Sequence, residues 1–284
     1  VYAKKLVSKI DGTKKYAFNF NDNIVEAVYI PENDRRTVCL SSQTGCNLGC
    51  VFCATSRFNG DNLETSQIIQ QLVSIINDNE DRISNIVFMG MGEPLLNLDN
   101  VLKAIEIINS KSGIKIGARK ITVSTAGIVP GIKSLIDFPL QIKLAVSLNS
   151  AIQSKREMIM PIAKTYKLDS LKKTLLKYQM VKNKAMTFEY ILFPGFNDGK
   201  KDVDELFDYL KDFDFKINVI PYNNIKIEEK EIGFTLREPN DNEINNFIKK
   251  LSVFKNSVML RNSKGKDIKG ACGQLRRELD FSSC

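Results

Sequence analysis

Apolar residues follow two rhythms along the 284-residue chain, a period of two and a period near 3.6, and from residue 36 onward the two alternate. Ahead of that region lie two β-rich runs, 15–20 (KYAFNF) and 24–30 (IVEAVYI), separated by Asn21-Asp22-Asn23, which predicts a hairpin. Alternation places Val25, Ala27 and Tyr29 on one face of the second run and Glu26, Val28 and Ile30 on the other. A carboxylate beside Val28 and Ile30 is unusual, although on an edge strand it reads as a solvated charge.

The alternating region starts with a strand over 36–42 that carries Cys39. A helix follows over 65–77, with Ile68, Ile69, Leu72, Ile75 and Ile76 at helical spacing. Strand 85–89 leads to helix 99–109, strand 120–124 to helix 128–136, and strand 142–148 to a helical stretch over 153–180 broken near Pro161. Strand 187–193 ends at Pro194-Gly195 and leads to helix 200–212. Strand 216–221 leads to helix 240–252, and a last strand covers 257–261. Strands that read as unbroken apolar runs between helices predict a parallel sheet with right-handed crossovers. Six or so units are too few for an eight-fold barrel, so the sheet is a doubly wound one or a partial barrel. In both, ligands gather at the C-terminal ends of the strands. Gly90-Met91-Gly92-Glu93-Pro94, Ser124-Thr125, Ser147-Leu148-Asn149 and Tyr222-Asn223 all fall there. Gly92 would let backbone approach a ligand, and Glu93 would offer a carboxylate to an amino group. An ordinary strand-to-helix turn accounts for the same residues.

The loop after the first of these strands sharpens this picture. Cys46, Cys50 and Cys53 lie within eight residues, too tight for a framework of disulfides. Such spacing suits one compact cluster bound by thiolates from a single loop. A cube held by three thiolates keeps one iron without a protein ligand, where another molecule binds. The chain has six cysteines and no histidine. Ser–His–Asp and Cys–His catalysis and His-containing zinc sites are thereby excluded, and a general base must be a carboxylate, Lys, Tyr or Cys. Cys39, taken alone in an apolar strand, reads as a core thiol. Cys272, between Ala271 and Gly273 and near Lys266, Lys269, Arg276 and Arg277, reads as a reactive one. Cys284 belongs to no motif.

A formal charge of +8 points to a polyanion, RNA or DNA first. Arg35-Arg36 and the basic stretch 261–269 are candidate phosphate contacts. No apolar run reaches the length of a membrane helix and no leader is visible, so a reducing, cytoplasmic setting is expected. The chain begins with Val1.

Four motifs together carry a resemblance. Cys39-Leu-Ser-Ser-Gln-Thr-Gly-Cys46, Gly90-Met-Gly-Glu-Pro-Leu-Leu-Asn97, Ser124-Thr-Ala-Gly127 and Gly270-Ala-Cys-Gly-Gln-Leu275 resemble, in order, the RlmN/Cfr family of radical S-adenosylmethionine RNA adenine-C-methyltransferases. The similarity runs from about Lys14 to Leu275. It implies an α/β fold, a partial (β/α)6 radical SAM barrel with an N-terminal β-hairpin extension. Residues 1–35 would be the extension, 36–262 the barrel and 263–284 a tail bearing the methyl-accepting cysteine. It implies a [4Fe–4S] cluster on Cys46, Cys50 and Cys53, and S-adenosylmethionine, two per turnover, against Gly92, Glu93, Ser124, Ser147, Leu148, Asn149 and Asn223. By the same resemblance Cys272 takes a methyl group and becomes linked through it to adenine. Cys39 resolves that adduct by forming a disulfide, and Glu26 takes the ring proton. The implied partners are rRNA and/or tRNA and an electron donor such as flavodoxin or ferredoxin, with a monomeric protein and no membrane. Glu93-Pro94-Leu95-Leu96-Asn97 resembles the carbon-2 branch; the alternatives are carbon-8 methylation, as in antibiotic resistance, or a divergent substrate. Departures from the family pattern are Asn149 where histidine is usual, Asp61 where arginine is usual, a loop one residue short after Cys53, no Pro-Gly-rich loop after Asn223, and no helical domain before the hairpin.

Overall fold

The computed structural model describes residues 2–225 and 235–275. Among the described residues ten strands form one sheet in which spatial order equals chain order. The first four, β1 (Lys4–Val7), β2 (Lys14–Phe20), β3 (Asn23–Glu32) and β4 (Arg35–Leu40), pair antiparallel. From β4 every pairing is parallel, through β5 (Asn85–Phe88), β6 (Ile121–Thr125), β7 (Lys143–Ser147), β8 (Met186–Leu192), β9 (Phe215–Pro221) and β10 (Val258–Leu260). The crossovers carry α1 (Thr65–Asn77), α2 (Leu98–Asn109), α3 (Val129–Asp137), α4 (Gln153–Ile159), α5 (Leu168–Lys182), α6 (Lys200–Leu210) and α7 (Asp241–Lys250). This is the expected α/β fold. β1 and β10 stand at opposite ends of the sheet, so the wall stays open.

The hairpin forms as its alternation requires, and the break near Pro161 falls between α4 and α5, where a 3-10 turn spans Pro161–Lys164. The strand β1 is an addition to the sequence reading. It is held by Asp78, just past α1, which accepts hydrogen bonds from Tyr2 Oη and Lys5 Nζ (both 2.8 Å) and from Tyr16 Oη of β2 (2.7 Å).

Two apolar clusters divide the faces of the sheet. The larger joins Val25, Ala27, Tyr29, Val38, Leu40, Ile86 and Phe88 to the buried faces of the helices. Val28, Cys39, Met91 and Leu275 form a separate cluster on the inner face, with Ile30, Val87 and Met89 packed against it. Register explains why: Val28 pairs with Cys39 and Cys39 with Val87, one row across β3, β4 and β5. Leu275 brings the tail into that row.

Candidate active site

The cysteine loop leaves the C-terminal end of β4 and is held from two sides. Val51 N–H donates to Ile159 O at the end of α4 (3.1 Å), and Ala54 N–H donates to Gly273 O of the tail (2.7 Å). Thr55 Oγ1 donates to Leu275 O at 2.8 Å. Gly273 has φ +81°, and a Cβ there would lie 2.9 Å from Phe52 O. Only glycine lets the tail lie this close to the loop. Cys272 is thereby presented exposed at the loop, its carbonyl accepting from Asn223 Nδ2 at 3.2 Å.

Burial pushes the Cys46 thiol up to about 12 and the Cys50 thiol well above its ordinary value, and it raises Cys53 as well. The ligand form is the thiolate, so a bound metal would have to draw these protons off. Among the described residues no three Cys, Asp or Glu side chains converge as on a single metal ion. The Oδ1 of Asn223, beside Cys272, is buried with no hydrogen-bond partner. The donor set and this orphaned oxygen fit an iron–sulfur cluster with a polar molecule beside it.

The strand ends build the rest of the rim. The turn after β5 runs against the chain leaving β4: Met91 N–H donates to Ser41 Oγ (2.7 Å) and Glu93 N–H to Gln43 Oε1 (2.9 Å). Gly92, at φ +93°, is pressed against Gln43, where a Cβ would meet its Cβ at 2.5 Å. The close approach here is to the protein's own chain. The Glu93 carboxylate is also engaged, accepting Leu95 N–H (3.1 Å) and Ala126 N–H (2.7 Å). It ties the end of β5 to the end of β6. Burial still pushes its carboxyl up to about 7, against those two donors and Thr125.

Ser124 and Ser147 are half-buried on β6 and β7, and Leu148 is buried. Asn149 is fully buried in the left-handed region, φ +58°. Its Oδ1 accepts Ile191 N–H (2.9 Å), and its Nδ2 donates to Met160 Sδ (3.3 Å). Asparagine tolerates this backbone better than most residues, and its side chain here locks β7 to β8. Beneath these ends lies Arg156 of α4, 1% exposed. Its Nη2 donates to Ala126 O (2.6 Å) and Ser147 O (3.2 Å), its Nε to Leu148 O (3.1 Å). One buried guanidinium thus joins the ends of two strands, and its charge bears on Cys50.

On the inner face Glu26 is fully buried, and Lys15 of β2 reaches it, Nζ to Oε1 at 3.0 Å. The solvated edge-strand charge does not survive. Cys39 is 8% exposed. Burial pushes its thiol up to about 12, the Cys272 thiol adds to the effect, and Arg261 and the Met89 N–H oppose it. Part of the basic stretch is drawn into ion pairs with the protein's own carboxylates. Arg261 lies 3.8 Å from Glu189, Lys264 3.5 Å from Glu32 and Lys266 3.7 Å from Glu238, while Arg36 pairs with Asp81 at 2.6 Å. Arg276, Arg277, Cys284 and most of the segment after Asn223 lie outside the described residues.

The family model for the radical SAM superfamily matches residues 40–210. A probable dual-specificity RNA methyltransferase RlmN of Alkaliphilus oremlandii is 42% identical over 278 residues, covering 97% of this chain and 79% of the relative. The chain belongs to the RlmN family of radical SAM methyltransferases. A dual-specificity RNA methyltransferase RlmN of Geobacter sulfurreducens is 43% identical over 95% of this chain and 73% of its own length. The crystal structure of a radical SAM methyltransferase from Sphaerobacter thermophilus superimposes with a TM-score of 0.90 at 34% identity, covering 96% of this chain and 81% of that one. A [4Fe–4S] cluster and S-adenosylmethionine are the cofactors of this superfamily. Among the described residues no helix is long and apolar enough to cross a membrane.

Lys15, Arg156 and Glu189 escaped the sequence reading, and Arg261 was read there only as a phosphate contact. Only Lys15 left a signal: alternation puts it on the face opposite Tyr16 and Phe18, the same face as its neighbour Glu26.

Proposed function

We propose that this RlmN-family chain methylates carbon-2 of an adenosine in large-subunit rRNA and/or tRNA, carrying the methyl group on Cys272. The observation that carries the proposal is the docking of Gly273 and Leu275 onto the cysteine loop, which sets Cys272 within electrostatic reach of both Cys53 and Cys39. The relatives named RNA methyltransferases and the net charge of +8 support an RNA substrate.

In this reading Cys46, Cys50 and Cys53 hold the cluster. Gly92, Glu93, Ser124, Ser147, Leu148, Asn149 and Asn223 form the rim against which S-adenosylmethionine lies, with Glu93 and Asn149 acting by shaping the backbone. When bound, the cluster and two molecules of S-adenosylmethionine supply a methyl cation equivalent and a hydrogen-abstracting radical. Cys272 sulfur accepts the methyl with loss of its thiol proton; the methyl carbon gives up one hydrogen atom to that radical and bonds to the adenine ring, and the electron left over as the ring regains aromaticity would return to the cluster. Glu26, oriented by Lys15, accepts the ring proton. Cys39 then loses its proton and attacks Cys272 sulfur. An S–S bond forms, the S–C bond breaks with its electron pair going to carbon, and that carbon takes up a proton to become the product methyl group. A thiol donor reduces the disulfide, and a flavodoxin- or ferredoxin-like donor reduces the cluster. The hairpin (1–35), barrel (36–262) and tail (263–284) divide these tasks within a monomer.

The test is digestion and mass spectrometry of unmodified rRNA and tRNA after anaerobic reaction with reconstituted protein. The proposal predicts 2-methyladenosine. Formation of 8-methyladenosine places the chain in the other branch, and no methyladenosine in either RNA refutes the substrate class.

A further inference from the structure

We propose that Arg261 is a positioning residue for the exchange between Cys39 and Cys272, the cation that makes a buried Cys39 able to attack; this rests on the two-thiol reading above. Arg261 follows β10 directly, and its backbone N–H donates to Val219 O at 2.9 Å, so the sheet itself fixes where the side chain starts. Its Nη1 lies 3.7 Å from Met89 Sδ and 3.8 Å from Glu189 Oε2. Met89 packs against the inner cluster that contains Cys39, so the Arg261 guanidinium lies against that cluster. Both side-chain contacts fall on one nitrogen of a guanidinium that carries five N–H donors.

Glu189 explains why the cation stays there. It is 5% exposed, its Oε1 accepts from Asn218 Nδ2 at 3.0 Å, and its Oε2 has no hydrogen-bond partner. At 3.8 Å the pair is close enough to hold Arg261 without consuming its donors. Burial works against the charge on Arg261, whereas Cys272, Glu189, Cys39 and Glu32 favour it. The guanidinium therefore feels both thiols at once. The other charged groups near Cys39 are Lys15 and Glu26, which are occupied with each other.

A thiol near 12 is almost wholly protonated at neutral pH, and the thiolate is the nucleophile. In the exchange the Cys39 proton leaves to solvent, the thiolate attacks Cys272 sulfur, and the displaced group departs with the electron pair and takes up a proton. A fixed cation beside Cys39 favours the charged form. The exposed Cys272 can start the reaction from a simple adduct, so the step can be watched without RNA.

The experiment uses cluster-loaded protein under anaerobic conditions, with Cys284→Ser so that Cys39 and Cys272 are the two thiols outside the cluster. Cys272 is converted to a mixed disulfide with glutathione. Loss of glutathione and formation of the Cys39–Cys272 disulfide are followed by acid quench and mass spectrometry between about pH 6 and about pH 10. The rate rises with pH. Arg261→Gln slows it about tenfold near neutrality and moves the profile up by about one unit, whereas Arg261→Lys retains most of the rate. Glu189→Gln, which leaves the cation less compensated, moves the profile to lower pH. That opposite sign is not produced by loosened packing, and it carries the test alone if Arg261→Gln does not fold. An unchanged profile, or uniform slowing without displacement, overturns the role of Arg261. Absence of closure in the unsubstituted protein overturns the two-thiol reading itself, and this role with it.

Discussion

Lys15 Nζ lies 3.0 Å from Glu26 Oε1, and both side chains are almost wholly removed from water. The pair spans adjacent strands, β2 and β3, on the inner face of the sheet. Removing one partner leaves the other charge buried and alone. Lys15→Ala is expected to destabilise the fold by about 3–5 kcal/mol, and Lys15→Met with Glu26→Gln to restore most of that. Urea denaturation of the three proteins checks it. Glu26→Gln alone is expected to leave the methyl on Cys272 in place while RNA methylation falls by about 10²-fold or more.

Gly273 is where the tail touches the cysteine loop. Gly273→Ala forces a Cβ to within 2.9 Å of Phe52 O on a backbone at φ +81°. Strain of about 1–3 kcal/mol falls on the tail rather than on the sheet. The expected outcome is faster proteolysis near residue 273 and a lower methyl content at Cys272, with an unchanged global melting temperature. Limited proteolysis with mass spectrometry reads the first two, and calorimetry the third.

Asp78 anchors β1 and β2 to the end of α1. Burial alone would push its carboxyl up, but hydrogen bonds from Lys5, Tyr16 and Tyr2 hold it down at about 2. A depressed carboxylate stabilises the fold above its unfolded value near 3.8 and stops doing so as pH falls through the folded one. Stability is therefore expected to drop between about pH 4 and about pH 2. Asp78→Asn is expected to flatten that dependence and to lose about 1–3 kcal/mol at neutral pH. Equilibrium unfolding as a function of pH measures both.

Arg156 satisfies three carbonyls at the ends of β6 and β7. Arg156→Met strands them out of water, each at about 1–3 kcal/mol. The expected result is a fold weakened by about 3 kcal/mol or more, with S-adenosylmethionine binding weakened as the rim loosens. Arg156→Lys, which reaches fewer acceptors, falls between. Thermal unfolding and titration calorimetry check the pair.

The strand–helix order was readable because the strands from β4 to β9 are buried through their own apolar runs, and α1 came out at its true limits because five isoleucines and leucines repeat at helical spacing. β1 was not, since Lys-Lys-Leu-Val is short, half charged and held by Asp78, which lies 73 residues from Lys5. The cysteine loop was evident from spacing alone. The buried charged residues were not: Lys15, Glu189 and Arg261 on the inner face and Arg156 on α4 look solvated until the fold shows what packs over them. Glu93 and Asn149 stand where the family pattern places cofactor contacts. Their side chains are engaged with Ala126, Leu95, Ile191 and Met160. Pattern locates such a residue, and tertiary partners decide which of its atoms remain available.

In the proposed reaction Cys272 carries the methyl group and Cys39 releases it. Mass spectrometry of the protein purified from cells tests it most directly. One added methyl group is expected on Cys272 in the unsubstituted chain, and a nucleotide covalently attached at Cys272 in a Cys39→Ala variant. An unmodified Cys272 in the first, with no nucleotide adduct in the second, would contradict it.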